Sequence, residues 1–437
     1  MKKNGKLHLV SLGCTKNLID SEVMLARLKS LEMTQEPDEA DVIVVNTCGF
    51  IDAAKEESIN TVLALHEARK KGSLLVMAGC LSQRYQEELK GELPEVDIFT
   101  GVGDYARIDE LIAGKISEFS EQVFLQTEEE RVVTGSNFHA YIKIAEGCNQ
   151  ACSFCAIPSF KGRLHSRSLE SIVKEVRRLV AQGFFDFSFI AQDTSSYGRD
   201  MGLKNGLIDL IDAIEQIEGV KRARILYLYP STTTPELISK IGESKVFAPY
   251  FDIPLQHATE AMFKTMKRGL SAKETVNLVA QMRMVPGSWL RSAFIIGHPG
   301  ESEADFDALC GLIESGLFDM VSLFAFSDEE GTTAYEMAQK VDAKTIKSRL
   351  KKAEKLAKAA RKKRLKRMVG QLVPVVIQGE SDEHEFLIAA KHLDWAPEID
   401  PVILINDSEV EGLKPGQIGQ AEITQSTEDA LIARFLG

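Results

Sequence analysis

The stretch EGCNQACSFC, residues 146–155, sets Cys148, Cys152 and Cys155 in a C-x3-C-x2-C pattern. Three thiols within eight residues do not pack together as core side chains. The pattern is that of a metal site. Zinc would need a fourth ligand from elsewhere in the chain. A [4Fe–4S] cluster would take these three thiolates and leave one iron open to a small molecule. Seven cysteines, an odd number, in a chain of 437 residues also point to metal or catalysis rather than to disulfides.

Outward from this loop the pattern is regular. HAYIKIAEG (139–147) reads as the strand that delivers it. Then follow helix SLESIVKEVRRLVAQG (168–183), strand FDFSFIAQD (185–193), helix LIDLIDAIEQIEG (207–219) and strand RARILYLYP (222–230). A helix begins after Pro235, and strand YFDIPLQH (250–257), helix SAKETVNLVAQMRMV (271–285) and strand WLRSAFIIGHPG (289–300) continue the series. SEADFDALCGLIESG (302–316) and FDMVSLFAFS (318–327) close it with a helix and a strand. Strand–helix units without reversal imply an open or partial βα barrel, α/β in class, over 138–367.

The preceding segment, 1–130, repeats the same alternation. KLHLVSLG (6–13), DVIVVNTC (41–48), SLLVMAGC (73–80) and VDIFTG (96–101) read as strands. NLIDSEVMLARLKS (17–30), DAAKEESINTVLALHEARKKG (52–72) and SQRYQEELKG (82–91) read as helices, with Asn17 placed as an N-cap. This order predicts a doubly wound parallel sheet. The polar segment 115–137, with its acidic cluster 128–130, reads as a linker or domain edge. After 370 the period changes to two. LVPVVIQGE, EFLIAAKH, PVILIN, QIGQAEITQS and ALIARFL, separated by Gly, Pro and Asn-Asp turns, predict a small antiparallel β-barrel over 370–437.

Composition is that of a globular protein, with 27% charged and 44% hydrophobic residues. No apolar run approaches the ~20 residues of a membrane helix, and MKKNGKLHLVSLG is too short in its apolar part for a signal peptide. The expectation is a cytoplasmic protein with no membrane partner.

Cys14, Cys48 and Cys80 share one address. Each ends a predicted strand and precedes a predicted helix. Carboxyl strand ends of a parallel sheet lie on one edge, so these three are expected to converge. The helix N-termini nearby would favour thiolate. Burial as small hydrophobes is the plainer reading for any one of them. Cys310, within FDALCGLIESG, reads as core.

The cysteine loop opening a βα barrel resembles that of the radical S-adenosylmethionine enzymes. Two cysteine trios in this order, with a terminal five-strand barrel, resemble the methylthiotransferase family over essentially the whole chain. The resemblance implies an N-terminal cluster-binding domain, a radical domain and a terminal TRAM domain. It implies a [4Fe–4S] cluster on Cys148, Cys152 and Cys155 that holds S-adenosylmethionine, and a second on Cys14, Cys48 and Cys80. The strings SLGCTKNLIDSE (11–22), CNQACSFCAIPSFKGRLHSRSLE (148–170), AQDTSSYG (191–198) and IPLQH (253–257) resemble the branch that methylthiolates an aspartate of small-subunit ribosomal protein S twelve. The tRNA-modifying branch is the alternative, and an iron–sulfur electron-transfer or scaffold protein is the non-enzyme one. An electron donor and a sulfur donor are implied partners.

Charge bears on the substrate. The chain carries −12 overall, but 344–367 holds thirteen Lys or Arg against one acid, and 370–437 holds thirteen acids against three bases. An acidic terminal barrel would repel RNA and attract a basic protein. The basic run reads as one long solvated helix, free to touch RNA or to pack on acidic neighbours. GHPGE (297–301), with Gly297, Pro299, Gly300 and Glu301, ends a barrel strand and is a candidate cofactor lining. So are Gln192 and Asp193, and Gln256 and His257. Lys161, Arg163 and Arg167 follow the cluster loop, and an arginine there would suit a carboxylate.

Overall fold

The computed structural model describes residues 5–121, 123–127, 131–381 and 386–437. Acidic residues 128–130 and the acids at 382, 383 and 385 lie outside them.

The first unit is a five-stranded, wholly parallel sheet. Its elements are β1 (Lys6–Ser11), α1 (Thr15–Arg27), β2 (Glu32–Met33), β3 (Val42–Thr47), α2 (Asp52–Ala68), β4 (Leu74–Gly79), α3 (Cys80–Arg84), α4 (Gln86–Glu92), β5 (Ile98–Phe99) and α5 (Ile108–Gly114). The strand order is β2-β1-β3-β4-β5. β3, VIVVNT, is buried at every position, as a central parallel strand covered on both faces should be. The single helix expected over 82–91 is two, broken at Tyr85, whose backbone leaves the helical region.

The second unit begins at β6 (His139–Lys143), followed by β7 (Ala145–Glu146), α6 (Ile157–Lys161), β8 (His165–Ser166), α7 (Leu169–Ala181), β9 (Asp186–Ile190), α8 (Gly206–Glu215) and β10 (Arg222–Ile225). It continues through α9 (Pro235–Glu243), β11 (Tyr250–Asp252), α10 (Glu260–Met266), α11 (Ala272–Met284), β12 (Trp289–Ile296), α12 (Glu303–Glu314), β13 (Met320–Ala325) and α13 (Ala343–Lys366). Strands β6, β9 and β10 form one parallel triplet, and β11, β12 and β13 another. A parallel bridge from Ala223 to Phe247 joins them, giving a partial six-strand barrel. α10 has no counterpart in the sequence reading; its seven residues are too few for a clear 3.6-residue period. Cys310 is buried in the barrel core as expected.

The third unit is a closed barrel of β14 (Leu372–Glu380), β15 (Ile388–His392), β16 (Val402–Ser408), β17 (Ile418–Ser426) and β18 (Ala430–Phe435). It is not purely antiparallel: β16 and β18 pair in parallel, which closes the ring. Its loop 393–400 stops the amino-terminal end of the βα barrel. Trp395 packs against Trp289, the first residue of β12, with centroids 4.2 Å apart and the rings inclined by 34°. Trp289 Nε1 donates to Asp400 at 3.1 Å, and Arg224 donates to the Leu393 carbonyl at 2.9 Å.

α13 corrects the solvated reading. Arg349, Ala353 and Leu365 are buried, and the helix packs on α12 and β13. Arg349 pairs with Glu301 at 2.6 Å, Lys352 with Asp307 at 3.1 Å, Lys358 with Glu428 at 3.5 Å, and Arg361 with Asp429. Part of the basic excess therefore meets part of the acidic barrel within the molecule.

The first two units meet through buried charge. α1 turns apolar residues to its own sheet, while Asp20 and Glu22, both almost fully buried, face the βα barrel. Asp20 pairs with Lys143 of β6 and, at 3.4 Å, with Lys161 of α6. Glu22 pairs with Arg131, whose Nε reaches Glu175 of α7 at 2.7 Å. Removing one member of a buried pair strands its partner. Lys143→Met should therefore lower the unfolding free energy by about 3–5 kcal/mol, read from urea denaturation. Burial opposes the charge of Glu146, but Lys143 and Lys161 outweigh it and hold its pKa down to about 2, from 4.5. Its contribution should be complete above pH 4.5 and vanish as pH falls through about 2, seen as a loss of stability in an acid series.

Candidate functional site

Cys14, Cys48 and Cys80 lie at the carboxyl ends of β1, β3 and β4, which are adjacent in the sheet. Two glycines bring them together. A side chain on Gly13, where φ is +87°, would stand 2.6 Å from Cys48 Cβ and 2.9 Å from its Sγ. One on Gly49 would meet the backbone of Leu81 at 2.7 Å and of Cys80 at 3.1 Å. Asn17 fastens the set: its Nδ2 donates to the Leu12 and Thr47 carbonyls at 3.1 Å, and its Oδ1 accepts from Cys80 Sγ at 3.5 Å. Asn17 is thus not the N-cap the sequence predicts; that position belongs to Cys14, with extended backbone. Nor does each cysteine sit just before a helix. Cys80 is the first residue of α3, and Cys48 lies four residues before α2. The expected thiolate bias is not found at these two, because burial pushes both thiols up.

Cys148, Cys152 and Cys155 occupy the loop between β7 and α6. Cys148 N–H donates to the Gly162 carbonyl at 3.1 Å, and the Ser153 N–H to the Met266 carbonyl at 3.2 Å. Arg268 Nη1 donates to Cys152 Sγ at 3.0 Å, and Tyr229 OH lies 3.6 Å from the same sulfur. Burial pushes the Cys148 thiol up to about 11 and Cys155 up to about 12. Among the described residues no three His, Cys, Asp or Glu side chains converge on one point as a mononuclear ion requires. A four-iron cluster asks for something else, since each thiolate takes its own iron at a separate corner.

The remaining candidates divide. Arg167 is engaged through both terminal nitrogens: its guanidinium donates to the Lys143 carbonyl at 2.8 Å, Glu175 at 2.6 Å, the Thr127 carbonyl at 2.9 Å and Ser171 Oγ at 3.0 Å. Glu301 is likewise committed, accepting from Gly297 N–H at 2.8 Å and Arg349 at 2.6 Å. A side chain on Gly297 would run into Ile346 of α13, and Gly300 N–H donates to the Gln339 carbonyl at 2.8 Å. Pro299 is buried, and its carbonyl lies 2.9 Å from His298 Nδ1. His298 Nε2 lies 3.0 Å from Ser153 Oγ, so this turn braces the cysteine loop. Lys161 is buried in the Asp20 network, Arg163 is exposed, and Asp193 accepts from Ser195, Ser196, Thr232 and Gln150.

Among the described residues, Gln192 Oε1, Gln256 Oε1, His257 Nδ1 and Arg268 Nε are buried near the barrel's carboxyl end without a hydrogen-bond partner. Gln256 also holds φ at +76°, which non-glycine residues rarely adopt. Unsatisfied groups in such number mark a site for a polar ligand. Arg268 and Tyr229 escape sequence reasoning, since a lone Arg after a short helix and a Tyr beyond the end of a strand carry no spacing signal. Glycine beside Cys14, Cys48, Cys80 and Cys148 was the available clue.

Comparison with known proteins covers the three units separately. The family model described as "Uncharacterized protein family UPF0004" matches residues 6–101, the Radical SAM superfamily 142–313, and the TRAM domain 369–436. A relative from Sulfurovum sp. (strain NBC37-1), named ribosomal protein uS12 methylthiotransferase RimO, is 59% identical over 100% of this chain and 99% of its own. A relative of the same name from Aliarcobacter butzleri (strain RM4018) is 56% identical over 100% of this chain and 98% of its own. Another, from Campylobacter jejuni (strain RM1221), is 57% identical over 99% of this chain and 98% of its own. Among solved structures, the radical S-adenosylmethionine methyltransferase TsrM from Kitasatospora setae aligns with a TM-score of 0.53 at 13% identity, covering 74% of this chain and 73% of that one. That likeness is one of fold.

Gly13→Ala combines a left-handed backbone with the Cys48 contact. It should lower stability by about 1–3 kcal/mol, measured by thermal unfolding, whereas Gly72→Ala, with open space around it, should lose only the backbone part.

Proposed function

This chain belongs to the RimO family of ribosomal protein uS12 methylthiotransferases, and from that premise we propose that it adds a methylthio group to the β-carbon of an aspartate in uS12. The observation that carries the reading is the pairing of two cysteine trios at the carboxyl edges of two parallel sheets packed against each other. Ala156 and Phe160, on or beside α6 just after the second trio, pack into the same core as Cys80 of the first. In the proposed assignment Cys148, Cys152 and Cys155 hold a [4Fe–4S] cluster with S-adenosylmethionine on its open iron, and Cys14, Cys48 and Cys80 hold a second. When bound, the first group supplies a 5′-deoxyadenosyl radical for hydrogen abstraction, and the second supplies sulfur. The protein's part is placement. Arg268 donates to Cys152 and steadies a thiolate there. Gln192, Gln256 and His257 offer their unsatisfied atoms to the cofactor's polar groups. The Asp20–Lys143 and Glu22–Arg131 pairs fix one trio against the other.

The domain limits proposed are 1–130, 138–367 and 370–437. No described helix is long and apolar enough to cross a membrane. A protein substrate is favoured by the way the terminal barrel spends its charge: Glu380 and Glu411 stay exposed, while its few bases are largely paired or buried.

Reconstituted anaerobically, the protein should carry about eight irons, and changing Cys148, Cys152 and Cys155 together to Ala should leave about four. The triple variant should release no 5′-deoxyadenosine. Mass spectrometry of uS12 treated with the wild-type enzyme should show one hydrogen replaced by a methylthio group. An unmodified uS12 beside altered tRNA adenosines would overturn the substrate.

A further inference from the structure

One cation beside the first cysteine trio has no ion-pair partner among the described residues. Lys16 lies two residues after Cys14, in the first turn of α1, and is half-buried. Among the described residues its Nζ has no hydrogen-bond or ion-pair partner, and it rests 3.6 Å from the centroid of the Tyr227 ring. The carboxylates around it are already engaged. Asp252 accepts from Arg291 at 3.0 Å and from the Tyr227 N–H at 3.0 Å. Glu146 accepts from Lys143 at 2.7 Å and from Gln192.

The aromatic ring beneath Lys16 is held in an unusual way. Tyr227 follows β10 at the barrel's carboxyl end with φ at +61°, a conformation that an L side chain adopts only under constraint. Its carbonyl accepts from Thr194 N–H at 3.0 Å, and its hydroxyl lies 3.4 Å from Thr15 Oγ1. Two residues on, Tyr229 reaches Cys152. The segment 227–229 thus touches the neighbours of Cys14 through Tyr227 and Cys152 through Tyr229. An aromatic face attracts the ammonium yet uses up none of its N–H donors.

We propose that Lys16 binds the carboxylate of the substrate aspartate and so selects an acidic residue over its amide. The proposal rests on the methylthiotransferase reading above. In that reaction the β-carbon that loses hydrogen is bonded directly to the carboxylate carbon. Whatever holds the β-carbon between the two trios also carries the carboxylate to any cation in the gap. A charge-assisted hydrogen bond there would orient the C–H bond as well as bind the side chain.

The test uses the cluster-loaded enzyme and two peptides of uS12, one with the target aspartate and one with asparagine in its place. Binding is followed by fluorescence anisotropy. The wild type should favour the aspartate peptide by roughly 10- to 100-fold, the range of a hydrogen bond to a charged group. Lys16→Met and Lys16→Gln should bind both peptides equally, near the wild-type level for asparagine, with iron content unchanged. Lys16→Arg should restore part of the preference. KM for the aspartate peptide should rise in the neutral variants by the same factor. A preference that survives in both neutral variants overturns the proposal, as does loss of iron in both, which would make Lys16 a support for the cluster. A wild-type enzyme that leaves uS12 unmodified overturns instead the reading on which the proposal stands.

Discussion

The structure turns on the buried charges of α1. A helix lying on a parallel sheet ordinarily shows water its polar face. Here that face carries Asp20 and Glu22 against the βα barrel, away from solvent. Ions in such a place are tolerable only with partners, and the partners come from β6, α6 and the segment before β6: Lys143, Lys161 and Arg131. Glu175 and Arg167 extend the network to α7. Because each ion depends on the others' geometry, the two units have little freedom to slide. The same pairs hold the edge that carries Cys14, Cys48 and Cys80 in fixed register with the barrel.

The cysteine sites are then a matter of close backbone approach. Glycines beside the cysteines let the loops that carry Cys14, Cys48 and Cys80 approach closely where a Cβ would hold them apart. The second loop has a different support. His298 reaches Ser153, Arg268 reaches Cys152, and α10 supplies the Met266 carbonyl. The turn 297–301 acts as a brace, with Glu301 held by Arg349 of α13. The groups left unsatisfied around this loop, Gln192, Gln256, His257 and Arg268, are those a polar ligand would complete.

Charge is redistributed by the fold. The basic run of α13 and the acids of the terminal barrel are close neighbours in sequence, and they become partners in space through Lys358–Glu428 and Arg361–Asp429. Asp394 and Asp400 are taken up at the barrel seam, by Arg222 and by Trp289. The terminal unit is consequently a plug in the amino end of the βα barrel as well as a surface, and a count of its acids overstates the field that a partner would meet.

By itself the sequence determined the order of the three units, the strand–helix period of the first two, the placement of Cys14, Cys48 and Cys80 at strand ends and that of Cys148, Cys152 and Cys155 on the loop after the first barrel strand. These follow from local periodicity and from the rule that carboxyl ends of parallel strands share an edge. It also determined the burial of Cys310, from the apolar helix face around it. Only the tertiary structure decided that Arg167 and Glu301 serve the framework, that β16 and β18 pair in parallel, and that Arg268 and Tyr229 meet Cys152. Those outcomes depend on which distant side chain arrives first at a buried charge or a free sulfur. A long-range pairing of that kind leaves no period in the chain, since its energy lies in desolvation and geometry rather than in local propensity.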